Sequence, residues 1–257
     1  MQTTAIINHI SHWLKTYAKD AGVKGFVIGI SGGIDSAVTS AIAAKTGLPL
    51  LCVEMPIHQN KIQAERGLKH ITWLKEHFDN VSSLELQLSS VFDSFTRQLT
   101  KDEAKNELAL VNTRARLRMT TLYYFAQSNQ SLVLGTGNKV EDFGIGFFTK
   151  YGDGGVDISP IADLLKTEVY KLGEKLGIVT DILSAPPTDG LWNDNKTDED
   201  QIGASYPELE WAMGFNGDKN SISTREREIL EIYTKLNIAN QHKMHAIPIC
   251  KIPEKLK

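Results

Sequence analysis

GFVIGISGGIDS, residues 25–36, is the stretch that decides the fold. Its first half (25–30) is a short apolar run rich in Val, Ile and Phe, which fits a strand buried on both faces, as parallel sheets require. Ser31-Gly32-Gly33 ends the strand, and IDSAVTSAIAAK (34–45) reads as an Ala-rich helix closed by Gly47 and Pro49. The unit of strand, glycine turn and helix then repeats. LPLLCVEM (48–55) is a second strand broken by Pro56, and residues 60–78 carry helical spacing through Ile62, Leu68, Ile71, Trp73 and Leu74. A third, weaker strand is expected over 84–88, helical segments over 91–127 with the row Arg114, Arg116, Arg118, and a fourth strand at SLVLGT (131–136). Alternating strands and helices imply right-handed parallel crossovers. The fold class is α/β, a doubly wound, mostly parallel sheet flanked by helices, with its site beyond the carboxyl ends of the strands.

Outward from that core, residues 4–19 place Ile6, Ile7, Ile10, Trp13, Leu14 and Tyr17 on one face of an amphipathic helix. GIGFFTKYGDGG (144–155) crowds too many glycines for a regular element and reads as a functional loop. Helix returns over 164–176. Residues 184–206 are polar, acidic and supplied with Pro and Gly, either a mobile lid or a solvated connection. A last amphipathic helix is expected at 222–237, followed by a basic tail, NQHKMHAIPICKIPEKLK. No internal repeat or low-complexity linker divides the chain, so one domain spanning 1–257 with these appendages is the simplest organisation.

Composition narrows the function classes. Hydrophobic residues are 41% and charged residues 23%, and Lys+Arg 28 against Asp+Glu 31 leaves a net charge of -3. That balance argues against disorder and against a chain-wide field for nucleic acid. No apolar run approaches the roughly 20 residues of a membrane helix, and MQTTAIINHISHWLK lacks the basic and apolar segments of a signal peptide, so a cytoplasmic protein is expected. Two cysteines, Cys52 and Cys250, supply neither a disulfide framework nor a cysteine-built zinc site.

The chemistry centres on Ser31-Gly32-Gly33-Ile34-Asp35-Ser36. At average residue usage, S-G-G-x-D-S arises by chance in on the order of one in a thousand chains or fewer. Two glycines let the backbone approach an oxyanion, Ser31 and Ser36 add hydroxyls, and the helix N-terminus presents unpaired N–H groups and a positive dipole end. Phosphate is the natural guest. Asp35 would repel a phosphate directly but suits a Mg2+ that bridges phosphates; the bland alternative is a tight glycine turn with Asp35 near the helix cap. Neither G-x-x-x-x-G-K-[ST] nor G-x-G-x-x-G is present.

The motif resembles the pyrophosphate loop of the ATP-pyrophosphatase (N-type) superfamily. Its members split ATP to AMP and pyrophosphate while adenylating a carbonyl or carboxylate, and the resemblance implies an adenine nucleotide α-hydrolase-like fold. Downstream, GTGNKVE (135–141), GFFTKYGDGG (146–155), Asp157 and Pro160 look like the signature of bacterial NAD synthetases. The likeness runs from SGGIDS through Leu165-Lys166 and Pro187-Thr188 to His242-Lys243. It implies ATP-dependent amidation of deamido-NAD by ammonia, yielding NAD, AMP and pyrophosphate through an adenylated nicotinate, in a homodimer. Glutamine-using members carry a separate nitrilase-like domain with a cysteine nucleophile, and neither Cys52 nor Cys250 has the His and acid partners for that role. The chain departs from the family pattern in two places. It reads GTGN where the pattern reads GTDH, and the pattern is one residue shorter between the glutamate and GFFTK. The register of 142–145 is therefore open, whereas Glu141 and Lys150 are fixed by their flanking motifs.

Carried over residue by residue, the resemblance places Gly29, Ile30, Ser31, Gly32, Gly33, Ile34, Asp35 and Ser36 around the ATP phosphates, with Thr136, Lys166 and Thr188 also contacting ATP. Asp35 and Glu141 would be the Mg2+ carboxylates, and Lys166 would offset charge on the departing pyrophosphate. Arg116, Lys150, Asp157, His242 and Lys243 match positions that hold deamido-NAD. Asp153, in the YGDGG loop, is the candidate to deprotonate ammonium. Without the resemblance, Lys166 reads as a solvated helix start and Glu141 as a surface carboxylate. Two other readings stand beside this one: another adenylating enzyme of the same loop class, of tRNA-modifying or GMP synthetase type, and a sensor that binds ATP without turnover. No basic or glutaminase module favours the first, and two carboxylates, Lys166 and the YGDGG loop argue against the second.

Overall fold

The structure is a computed structural model that describes residues 1–59, 61–188 and 197–257. Its first half is built of α1 (Thr3–Asp20), β1 (Gly25–Gly29), α2 (Ile34–Ala44), β2 (Leu50–Glu54), α3 (Lys61–His77) and β3 (Val81–Glu85). Then follow α4 (Ser89–Thr96), α5 (Glu107–Asn129), β4 (Ser131–Val133) and a π-turn (Val140–Ile145). The C-terminal part is helical: α6 (Lys166–Leu176), α7 (Thr180–Leu183), α8 (Asp198–Ile202), α9 (Tyr206–Gly214) and α10 (Thr224–Met244).

All strand pairs are parallel, in the order β3-β2-β1-β4. Strand alternation explains why β1 has no polar face. Phe26 and Ile28 point into a layer formed with α1, α2 and α6, whereas Val27 joins Val53 and Val133 in the opposite layer under α4 and α5. Each such buried side chain contributes roughly 1.5–3 kcal/mol. α2 is buried along almost its whole length, which its alanines permit. Gly173 of α6 lets that helix come close, since a Cβ there would lie 2.8 Å from Ile34 Cδ1. A third cluster, including Val140, Ile145, Leu209 and Ile229, joins the π-turn to α9 and α10.

After β1 the chain winds outward through β2 and β3, then returns to the other side of β1 as β4. The order reverses between β1 and β4, so their carboxyl ends leave a crevice between the connections on either side. The phosphate loop leaves β1 at that point, and Thr136 follows β4 there.

Several elements differ from the sequence expectation. The third strand is 81–85 and not 84–88: it is the edge strand, its side chains are at most half-buried, and the burial that makes Leu88 look strand-like comes from the turn before α4. The fourth strand ends at Val133, and Leu134 keeps a single parallel bridge to Ile158. The polar segment 184–206 contains α8. Residues 189–196 of that segment lie outside the described residues, as does Asn60, the expected first residue of the second helix. α9 was not expected, although its start carries a capping box between Ser205 and Glu208. α10 continues to Met244, so His242 and Lys243 sit on a helix and not on a tail.

Candidate active site

The phosphate loop is held by its own serines. Ser36 Oγ donates to the Gly33 carbonyl at 3.0 Å and lies 3.1 Å from Ser31 Oγ, which accepts from the Gly33 N–H at 3.2 Å. The hydroxyls therefore shape the bend, and the donors left for an anion are backbone N–H groups at the start of α2. Gly32 adopts φ +81, and a Cβ there would press on the Gln63 carbonyl and approach the Gly67 nitrogen, so only glycine lets the loop lean on α3.

Below the loop, two carboxylates meet one ammonium. Lys166 Nζ lies 2.5 Å from Asp35 Oδ2 and 3.0 Å from Glu141 Oε1, and its side chain is 4% exposed. Asp35 comes from the first turn of α2, Glu141 from the π-turn and Lys166 from the first residue of α6. A cation at a helix N-terminus opposes the helix dipole; here the two carboxylates offset it. The start of α6 is fixed from both sides, by Glu168 accepting from the Leu165 N–H and by Glu210 of α9 accepting from Thr167.

Further residues complete the cluster. Asn138, fully buried, donates to Asp35 Oδ1 at 3.2 Å and accepts from the backbone N–H groups of Val140 and Glu141. The Tyr206 hydroxyl donates to Glu141 Oε1 at 2.5 Å and lies 3.4 Å from Asp198 Oδ2, while the Tyr206 ring sits 4.6 Å from Lys166 Nζ. Burial pushes Asp35 above the usual carboxylate range, an effect Lys166 only partly offsets. Burial acts the same way on Glu141, but Lys166 and the Tyr206 hydroxyl outweigh it and hold Glu141 below its usual value. For Lys166 burial is outweighed by Asp35 and Glu141, so it stays protonated well above the ordinary lysine range.

Glu141 and Asp142, consecutive in the π-turn, both line the cavity above this cluster. Gly137 makes room: any side chain there would collide with the Asp142 carboxylate. Burial, with Glu141, Asp153 and Asp35 nearby, pushes Asp142 up to about 7. Asp153 also lines the cavity; it accepts from the Thr149 N–H at 3.0 Å, and burial raises its pKa. With Asp198, five carboxylates thus line one cavity, a field that attracts cations.

Most of the expected ATP residues meet here. Gly29, Ile30, Ser31, Gly33, Ile34, Asp35, Ser36, Thr136, Lys166 and Thr188 all line the cavity, and Gly32 turns away onto α3. The expected deamido-NAD residues lie outside it. Arg116 Nη2 donates to the Lys150 carbonyl at 3.3 Å, Lys150 Nζ to the His242 carbonyl at 2.5 Å, and Lys243 Nζ to the Gly146 and Phe148 carbonyls at 2.9 Å. These four join α5, the GFFTK loop and α10 into one neighbourhood. Asp157 stands apart, accepting from the Val133 N–H and the Tyr123 hydroxyl. Asn138, Asp142, Asp198 and Tyr206 were not anticipated from sequence.

Comparison with known proteins agrees with this arrangement. The family model described as NAD synthase matches residues 6–246. A Syntrophomonas wolfei protein named NH(3)-dependent NAD(+) synthetase is 37% identical over 264 residues, covering 100% of both chains. A Francisella tularensis structure described as NMN synthetase superposes with a TM-score of 0.85 at 31% identity, over 99% of each chain. The NH3-dependent NAD synthetase of Campylobacter jejuni shares the fold, with a TM-score of 0.78 at 24% identity over 98% of this chain and 100% of that one. With the phosphate loop, the paired carboxylates and Phe147, Phe148, Gly152, Asp153 and Gly155 of the GFFTKYGDGG segment around one cavity, and relatives matched end to end, the chain belongs to the NAD synthase family.

Proposed function

We infer that the protein amidates deamido-NAD with ammonia at the expense of ATP, releasing NAD, AMP and pyrophosphate. The observation that carries this is the convergence of Asp35 and Glu141 on a single buried point beneath the phosphate loop. The donor set fits a divalent cation: two hard carboxylate oxygens already share one cationic partner, and among the described residues no group of three or more His, Cys, Asp or Glu forms a competing site. Asp35 and Glu141 would hold Mg2+, which neutralises phosphate charge and polarises the α-phosphoryl group when bound.

In the first step the nicotinate carboxylate attacks the α-phosphorus of ATP and pyrophosphate leaves. N–H groups at the start of α2 stabilise the charge on the leaving group, and Lys166 is placed to do the same. In the second step ammonia attacks the acyl adenylate carbonyl and AMP departs. Ammonium must first lose a proton, and Asp153 takes this role, since its raised pKa makes it a better base than an exposed aspartate. The neighbouring carboxylates favour ammonium in the cavity. Arg116, Lys150, Asp157, His242 and Lys243 are assigned to deamido-NAD from the family resemblance, which also carries the homodimer, and the cytoplasmic location keeps to the expectation from the sequence.

A second substrate reading has a specific support. The Francisella relative is named for NMN, so nicotinate mononucleotide is the alternative acid. The test is to incubate the protein with ATP, Mg2+, ammonium and each acid separately. Equal amounts of NAD, AMP and pyrophosphate from deamido-NAD are expected; a large kcat/KM preference for the mononucleotide would replace the substrate, and ADP would overturn the reaction class. In Asp153→Asn, adenylate should form while amide formation slows by about 10²-fold or more; an unchanged second step removes Asp153 from its role.

A further inference from the structure

Three cationic side chains line the cavity among the described residues: Lys166, Arg118 and Arg66. Two are already engaged. Lys166 serves Asp35 and Glu141, and Arg118 Nε donates to the Met55 carbonyl at 3.0 Å. Arg66 differs, because its Nε is buried without a hydrogen-bond partner. Asp181, the carboxylate whose charge it influences, is bonded instead to Lys69 at 2.5 Å. Arg66 as a whole is only partly buried, but an enclosed guanidinium N–H without a partner is costly and favours an anion beside it.

Its position tells which anion. Arg66 lies on α3 between Gln63 and Gly67, the two residues on which Gly32 rests, and a Cβ at Gly32 would be 3.5 Å from Arg66 Cβ. The same glycine that lets the phosphate loop lean on α3 therefore brings this arginine beside the loop. Pyrophosphate leaves ATP with more negative charge than the α-phosphoryl end retains, and Lys166, shared between two carboxylates, offsets only part of it. Guanidinium, planar and forked, suits two phosphoryl oxygens at once.

We propose that Arg66 grips the β- and γ-phosphoryl groups of ATP and holds the pyrophosphate as it leaves. This rests on the pyrophosphate-forming reaction inferred above and adds a residue to it. The experiment is calorimetric titration of inorganic pyrophosphate with Mg2+, and separately of AMP, into wild type, Arg66→Gln and Arg66→Lys, with a thermal melt of each. Arg66→Gln should weaken pyrophosphate about ten- to hundredfold, as expected for a hydrogen bond between charged groups, while AMP affinity stays the same. Arg66→Lys should recover part of the loss, and in turnover the variants should raise the KM for ATP and relieve inhibition by pyrophosphate. Unchanged pyrophosphate affinity in Arg66→Gln, or equal losses for pyrophosphate and AMP, would overturn the proposal. Wild type that binds ATP but not pyrophosphate would overturn the phosphate-loop reaction itself, and the role of Arg66 with it.

Discussion

Replacing Lys166 by methionine keeps much of the side-chain volume and deletes the charge. Lys166 is the hydrogen-bonded counter-ion of both Asp35 and Glu141, whose side chains are 16% and 15% exposed. Breaking a buried ion pair by removing one partner costs about 3–5 kcal/mol. For a chain of this size that lowers Tm by roughly 10 °C. The cost has a defined pH dependence. Without Lys166 both carboxylates have folded pKa values above their unfolded ones, so the folded variant binds an extra proton and its stability falls as pH rises. At pH 5 the penalty relative to wild type should shrink as that proton is taken up; at pH 8 it should be fully present. Thermal melts at both pH values, in EDTA and in millimolar Mg2+, measure this, with Mg2+ restoring part of the loss at pH 8. An equal Tm deficit at both pH values, with no response to Mg2+, would refute the shared-cation geometry.

Two further perturbations probe neighbours. Asp142, at about 7 in the folded chain against 3.8 in a model peptide, makes the wild type lose stability as pH climbs from 4 to 7. Asp142→Asn abolishes that slope, so in EDTA at pH 8 it should be more stable by about 2–4 kcal/mol, the lower end allowing for contact with cavity water; urea melts showing parallel pH curves for the two proteins would contradict it. Tyr206→Phe keeps the ring beside Lys166 but removes the donor to Glu141, worth about 1.5–3 kcal/mol for a bond to a charged group. The Mg2+ concentration for half-maximal rate should rise about tenfold at saturating ATP and Tm should fall by roughly 5 °C, and an unchanged Mg2+ requirement would show that the hydroxyl does not orient Glu141.

What could be read from the chain was local. β1, the phosphate loop and α2 are contiguous, and their signals of an apolar run, paired glycines and an Ala-rich helix need no distant partner. Asp35 and Glu141 were found because each lies inside a dense motif. Lys166 shows the limit: helical periodicity makes it a solvated first-turn residue, and its burial arises only when α6 packs on α2 with the π-turn alongside. Asn138 reaches Asp35 across 103 residues and Tyr206 reaches Glu141 across 65, with Asp198 beside the Tyr206 hydroxyl, and no periodicity reports such contacts. α9 was legible in principle through its Ser205 and Glu208 capping box, but Ser205 and Tyr206 were read as the end of the preceding polar connection. The edge strand was misplaced because half-buried side chains on an edge carry little alternation.

The most direct measurement follows an oxygen atom. Deamido-NAD carrying 18O in its nicotinate carboxylate, turned over with ATP, Mg2+ and ammonium, should deliver one 18O to AMP and none to pyrophosphate, because the carboxylate oxygen that attacks the α-phosphorus leaves with AMP. Unlabelled AMP, or label in pyrophosphate, would contradict adenylation at this phosphate loop.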